Sequence, residues 1–383
     1  MLASDILKLI DGFAPFRTAL GWDNSGFQVG DPGVKVKKAA LSLDATPAVV
    51  EEAVRRGAQL LITHHPLIFT PLKRITRDLP NAEAVFLAVK NNLTVISAHT
   101  NLDFAGVADA LAEVLELTPV DFLEPVEPKY LKLVLFLPTS FDSRELMKAV
   151  FATGAGTLGD YDRCFYKVGG KGHFRALENA SPFVRSKSSS DAFEEDRVEI
   201  LMDPSQKDKV TKAIMAHHPY EEPAYEFYEV EHTGRHGLGL VGKWDPPKAP
   251  LPFAAKKLGL DVLARTSRVP ARAETVALLP GSLSSDAIRL AKDKGAEVLI
   301  TGEFGHHKAD EADRLGLGLI GAGHMATEAP AMPFLKKKLE ELSAKERPKP
   351  EFFVIPGESP ISHFTTKDAA KPPETPGGGA TGG

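Results

Sequence analysis

At 383 residues the chain has room for two or three domains, and 43% hydrophobic with 25% charged residues describes an ordinary globular protein with ample core. A formal charge of −5, a pI near 6.2 and no basic cluster with interleaved aromatics exclude a nucleic-acid surface as the main business and predict no nucleic-acid partner. The single cysteine, Cys164, excludes an intramolecular disulfide and a thiolate metal cage; no apolar run has the length of a membrane span, so the expectation is a soluble cytoplasmic protein with no membrane partner.

In chain order, Asp5, Lys8 and Asp11 interrupt an apolar stripe, which predicts an amphipathic helix over 1–20, with Ser4 as its N-cap, rather than a secretory signal. Gly21, Gly26, Gly30 and Gly33 then predict tight turns around a short extended piece. In that piece Trp22, Asn24 and Gln28 either rim a pocket or anchor the first helix. A strand over 38–44 and a helix opened by Thr46-Pro47 follow. The run Leu60-Leu61-Ile62-Thr63 reads as a buried strand that meets His64 and His65 before Pro66 forbids further ladder pairing. A helix over 81–91, a strand over 93–97 ending in AHTNLD and a helix over 106–116 continue an alternation that predicts a largely parallel sheet covered by helices.

Composition shifts near Pro125 and Pro128, as in a linker. The next stretch reads strand, helix, strands, a Ser-rich segment at 186–190, strand, helix, strand, which is the order of a ferredoxin-like unit. Four prolines within Trp244–Pro252 read as the return linker, after which strand–helix alternation resumes. GAQLLIT (57–63) and GAEVLIT (295–301) agree at five of seven positions, an internal repeat. The expected fold class is therefore α/β: two similar α/β halves, 1–125 and 244–365, form one domain interrupted by an α+β insertion at 126–243. A tail over 366–383 has no apolar content to bury and is expected to be disordered.

In open α/β sheets ligands gather at the carboxyl ends of the strands. One half offers His64, His65, His99 and Asp103 there, and the other offers Glu303, His306, His307, His324 and Glu328. His324 and Glu328 stand four apart at the opening of a helix and share a face. Asp103 either ligates or caps the helix at 106. Glu303 is a candidate for proton transfer or a cap of the helix at 306, and His99 either orients a ligand, touches substrate or is a satisfied buried histidine. His217-His218-Pro219 repeats the letters of the ligand pair but follows a helix, which argues against a metal role. Imidazole and carboxylate donors without cysteine suit zinc, iron or manganese, and open coordination positions would leave room for an activated water.

Taken jointly, WDNSGFQVG, THHPLIF, SAHTNLD, the Thr-Gly-Glu segment with His306-His307, and GHMATE resemble the Nif-three-like family of dinuclear-metal hexameric proteins, also labelled a second type of GTP cyclohydrolase. The resemblance covers roughly 1–125 and 245–365, and the insertion is similar to the PII-like or CutA-like domain of longer members. It implies His64, His65, Asp103, His324 and Glu328 as ligands to two divalent ions, with Glu328 between them, in a toroidal homohexamer. Pro280 departs from the glycine-rich turn it implies at 279–282. The expected activity is metal-dependent hydrolysis of a small nucleotide-like substrate. The alternatives are a metal-handling protein without turnover, or an interaction protein that senses a ligand through its PII-like domain.

Overall fold

The structure, a computed structural model, describes residues 1–126, 129–158, 161–177, 179–184, 192–231 and 236–362. The Ser-rich stretch at 186–190 and the tail at 366–383 lie outside the described residues. The described residues divide into two compact units, one within 1–126 and 236–362 and the other within 129–231. Among the described residues no helix is long and apolar enough to cross a membrane.

Fifteen strands follow in chain order among the described residues: β1 (Gly26–Val29), β2 (Lys38–Ser42), β3 (Leu60–Thr63), β4 (Thr94–Ser97), β5 (Thr118–Val126), β6 (Lys129–Pro138), β7 (Tyr166–His173), β8 (Ala192–Met202), β9 (Tyr225–Glu231), β10 (His236–Lys248), β11 (Ala264–Arg265), β12 (Ala273–Ser282), β13 (Val298–Glu303), β14 (Gly318–Gly321) and β15 (Glu351–Val354). The larger unit holds two sheets, ordered β1-β4-β3-β2-β15 and β11-β14-β13-β12-β10-β5. In the first, β15, β2, β3 and β4 are parallel and β1 closes one edge antiparallel. Residues on β2, β3 and β4 are almost all buried on both faces, as parallel strands between helix layers must be.

Parallel register is what assembles the first half of the site. Ser42 pairs with Thr63 and Thr63 with Ser97, so the three strands end level. Whatever follows each end is therefore delivered side by side: Asp44 after β2, His64 and His65 after β3, His99 after β4. The second sheet repeats the device. Thr301 on β13 pairs with Gly321 on β14, and Ser282 on β12 with Glu303 on β13, which brings Glu303 and the segment leading to His324 to the same edge.

Three local expectations are corrected. The first helix spans Ala3–Phe13 and stops before Pro15; its entry is held by the Leu2 N–H donating to Asp5 Oδ2 at 3.0 Å, not by Ser4. Trp244–Pro252 is not a linker: β10 runs to Lys248, antiparallel to both β5 and β12, and a helix starts at Pro250. Trp244 is fully buried and its Nε1–H donates to the Leu115 carbonyl at 2.8 Å. The prolines misled because Pro246 and Pro247 fall where the ladder to β12 breaks register, and Pro250 opens a helix, where a missing donor costs nothing. Finally, helical backbone begins at Thr100 and passes through a π-helical turn, Asp103–Val107, so Asp103 lies inside the helical run rather than capping a helix at 106.

Among its described residues the smaller unit forms a four-stranded antiparallel sheet ordered β7-β8-β6-β9, with helices Arg144–Phe151 and Lys207–His217. Its chain order is β-α-β-β-α-β, and the alternate residues Leu131, Leu133, Leu135 and Leu137 of β6 form its core with Val198, Ile200, Leu146 and Ile214. His218 is consumed structurally there: its Nε2 meets the Phe136 carbonyl at 3.1 Å and its Nδ1 accepts from the Tyr220 N–H at 3.1 Å.

Candidate metal centre

Each of three histidines has its Nδ1 tied to an oxygen. His64 Nδ1 donates to the Ala98 carbonyl at 2.9 Å, His65 Nδ1 to Asp44 Oδ1 at 2.7 Å, and His324 Nδ1 to Glu303 Oε1 at 2.9 Å. These bonds put the proton on Nδ1 and leave each Nε2 as the ligating nitrogen. The three Nε2 atoms face two carboxylates. His65 and His324 both place Nε2 3.1 Å from Glu328 Oε2, and His64 Nε2 is 3.4 Å from Asp103 Oδ1.

The donors pack around a position that protein groups alone do not satisfy. Glu328 is 5% exposed, yet its Oε2 makes no hydrogen bond, and the fully buried His64 Nε2 makes none either. The short approaches are thus ion-pair distances without hydrogen-bond alignment. A buried carboxylate oxygen and a buried imidazole nitrogen left this way are costly unless a cation joins them. Among the described residues three groups of donor atoms lie mutually within 4.8 Å: His65, His324 and Glu328; His64, Asp103 and Glu328; and His64, His65 and His99. Imidazole with carboxylate, and no thiolate, is a donor set for zinc, iron or manganese.

Electrostatics agree. Burial pulls the His65 imidazole down, but Asp44 and Glu328 outweigh it and raise its pKa to about 10. Glu328 raises His324 against a smaller effect of burial, with help from Glu303, to about 9. Burial pushes Glu328 up, but His324 and His65 dominate and hold it well below the usual carboxylate range. The pocket therefore demands positive charge, which protons supply when no metal does.

His324 and Glu328 reach the site through a tight backbone approach. Gly281 sits at φ +67° in the bulge between Leu279 and Ser282, and its N–H donates to Thr327 Oγ1 at 3.1 Å. Pro280 is accommodated in that bulge, where no ladder donor is needed. A Cβ on Gly281 would fall on Glu328 Oε1 and come 3.5 Å from the His324 ring. Gly281→Ala should therefore displace the carboxylate and strain the backbone by about 1 kcal/mol or more. Metal content by elemental analysis should fall while circular dichroism stays native, and unchanged metal content would contradict this account.

The residues singled out from the sequence fall as follows. His64, His65, Asp103, His324 and Glu328 converge; the His65 and His324 rings are 5.5 Å apart although they come from different sheets. His99 joins them, its ring 5.1 Å from that of His64. Glu303 binds His324 Nδ1 and accepts from Ser282 Oγ at 2.7 Å, and the helix at 306 is capped by Gly305 rather than by it. His306 and His307 are exposed and belong to none of the donor groups. Asn24 and Gln28 bond the backbone of Ile68.

Sequence reasoning missed Asp44 and Asp23. Asp44 follows the end of β2, so the strand-end argument applied to that strand would have found it. Asp23 gathers His99 Nδ1 at 2.9 Å, Thr100 Oγ1 at 2.6 Å, the Thr100 N–H at 3.1 Å and Ser25 Oγ at 2.7 Å. Burial raises its pKa, but these donors win and hold it far below the usual range. Its only sequence signal was its place beside Trp22 and Asn24.

A family model described as Duf34/NIF3 (NGG1p interacting factor 3) matches residues 1–360. A protein of Halalkalibacterium halodurans named GTP cyclohydrolase 1 type 2 homolog is 34% identical over 346 residues, 88% of this chain and 92% of that protein. A Bacillus subtilis protein of the same name is 34% identical over 328 residues, 84% and 87% of the two chains. Among solved structures, a Bacillus cereus protein related to NIF3 is similar with a TM-score of 0.72 at 31% identity, covering 95% of this chain and 99% of that one. A Staphylococcus aureus protein is similar with a TM-score of 0.75 at 26% identity, over the same shares. With the match running through both sheets and through every residue of the donor cluster, the chain belongs to the DUF34/NIF3 family.

Proposed function

We propose that this protein is a divalent-metal-dependent hydrolase acting on a small, nucleotide-like substrate. The observation that carries the reading is Glu328 Oε2, buried, without a hydrogen bond and facing the Nε2 atoms of His65 and His324. Two ions are proposed: His65, His324 and Glu328 would hold one, and His64, Asp103 and Glu328 the other. Bound there, such ions supply Lewis acidity toward a carbonyl or phosphoryl oxygen and toward water.

The chain's own residues do the rest. Asp44 and Glu303 hold the Nδ1 protons of His65 and His324, so that Nε2 is the nitrogen that presents a lone pair once the extra proton has left. Asp23 does the same for His99, whose ring stands against those of His64 and His65 and is placed to hold or release a proton at Nε2. Glu303, with an oxygen on His324 and on Ser282, is better suited to orienting than to proton transfer. The substrate class is supported by the name carried by the relatives. The smaller unit is proposed as a PII-like insertion on its β-α-β-β-α-β order, and the assembly as a homohexamer, to be checked by sedimentation.

Elemental analysis of purified protein, then a panel of nucleotides and phosphoesters with and without chelator, tests the reading. Turnover should vanish on chelation and return with zinc, iron or manganese; a panel flat in all states would overturn it. Asp44→Asn should keep the fold and weaken metal binding about 10- to 100-fold, the usual cost of losing a carboxylate behind a ligating imidazole. Unchanged affinity in a competitive chelator titration would remove Asp44 from this role.

A further inference from the structure

Beside the donor cluster the fold leaves two aromatic rings uncovered. Trp22 is 60% and Phe69 57% exposed. Their centroids are 6.0 Å apart, and both meet the ring of His99 edge-on, at 6.0 and 6.4 Å. His99 in turn shares a donor group with His64 and His65. One imidazole thus neighbours both the aromatic pair and the metal-binding donors.

The pair is held in place by polar ties rather than by packing over the rings. Asn24 Nδ2 donates to the Ile68 carbonyl at 2.6 Å, the Ile68 N–H donates to Gln28 Oε1 at 3.2 Å, and Gln28 Nε2 donates to the Asn24 carbonyl at 2.5 Å. On the other side of Trp22, Asp23 is locked by His99, Thr100 and Ser25. Residues adjacent to each ring therefore pin the two loops together, while more than half of each aromatic side chain stays exposed. Such faces bind planar π-systems by stacking, with little regard to which ring it is.

We infer that Trp22 and Phe69, backed by His99, form the subsite that receives the planar heteroaromatic ring of a small ligand. Sandwiching a third ring needs about 3.5 Å on each side, about 7 Å in all. At 6.0 Å the pair offers no such slot, so the ligand ring lies on the open face of one ring and is braced by the other's edge. What happens to the rest of the ligand rests on the metal-dependent reading above, whereas stacking itself needs no cation.

The chain has two tryptophans, exposed Trp22 and fully buried Trp244, which gives the test a built-in control. Guanosine and adenosine would be titrated into the full-length protein, metal-loaded and chelated, with ribose 5-phosphate as the ring-free control. The nucleosides should quench emission saturably in both states and ribose 5-phosphate should not. In Trp22→Phe the remaining emission should not respond. By equilibrium dialysis, Trp22→Ala and Phe69→Ala should bind nucleoside at least about tenfold more weakly while circular dichroism and metal content match wild type. Equal quenching in Trp22→Phe, or no saturable response to either nucleoside in either state, overturns the inference. So does failure of iodide to quench Trp22 in the ligand-free protein, because the rings would then lie under another copy. Preparations that never bind metal yet still bind nucleoside would sink the hydrolase reading and leave the subsite standing.

Discussion

Glu328→Gln abolishes metal loading while leaving the fold in place. The amide keeps the shape of the side chain but removes the charge that both His65 and His324 face at 3.1 Å, and with it a carboxylate that belongs to two of the three donor groups. The loss should exceed the about 10- to 100-fold expected for a residue that only orients a ligand. It is read by elemental analysis after dialysis against metal, with circular dichroism and thermal unfolding as controls for fold. Chelated Glu328→Gln should also show His324 titrating well below its wild-type value of about 9 by NMR, since Glu328 is the largest influence raising it. A variant that retains the wild-type metal content would show that the ions sit elsewhere.

Metal-free protein loses stability as pH rises through the alkaline range, and metal binding at neutral pH expels protons. Both follow from the carboxylates around the imidazoles: Asp44 and Glu328 raise folded His65 to about 10, and Glu328 with Glu303 raises folded His324 to about 9, above the ordinary imidazole value of about 6.5. A group whose pKa is raised by folding stabilises fully below its unfolded pKa and loses that contribution as pH climbs through the folded one. The melting temperature of chelated protein should therefore fall between about pH 7 and pH 10, more steeply than that of metal-loaded protein or of chelated Glu328→Gln. At pH 7 both imidazoles carry the extra proton, so an ion that takes both Nε2 atoms releases about two protons. Calorimetry in two buffers of different ionisation enthalpy measures that number. A release near zero would mean that the imidazoles were already neutral or are not ligands.

The legible part of the site was the part written next to strand ends. His64-His65 stand after an apolar run closed by Pro66, and His324 and Glu328 share a helix face at the spacing of one turn, so period and punctuation were enough to select them. The partners of those residues were less legible. Asp44 and Asp23 look like any loop aspartate, and only the level ends of β2, β3 and β4, with the return of the glycine-rich loop against β4, show which imidazoles they face. The long strand β10 was hidden by its prolines, because composition cannot tell a linker from a strand whose prolines sit outside the paired register.

What the sequence determined by itself was a set of local facts: buried strands, their ends, the donor chemistry of imidazole and carboxylate, and the absence of cysteine from it. What only the tertiary structure decided was convergence. His65 and Glu328 are separated by most of the chain, and their 3.1 Å approach exists because two sheets present their strand ends to the same space. Local sequence fixes which way a side chain leaves its strand. The distance between two strands' side chains is set by pairing and packing, to which every buried residue between them contributes.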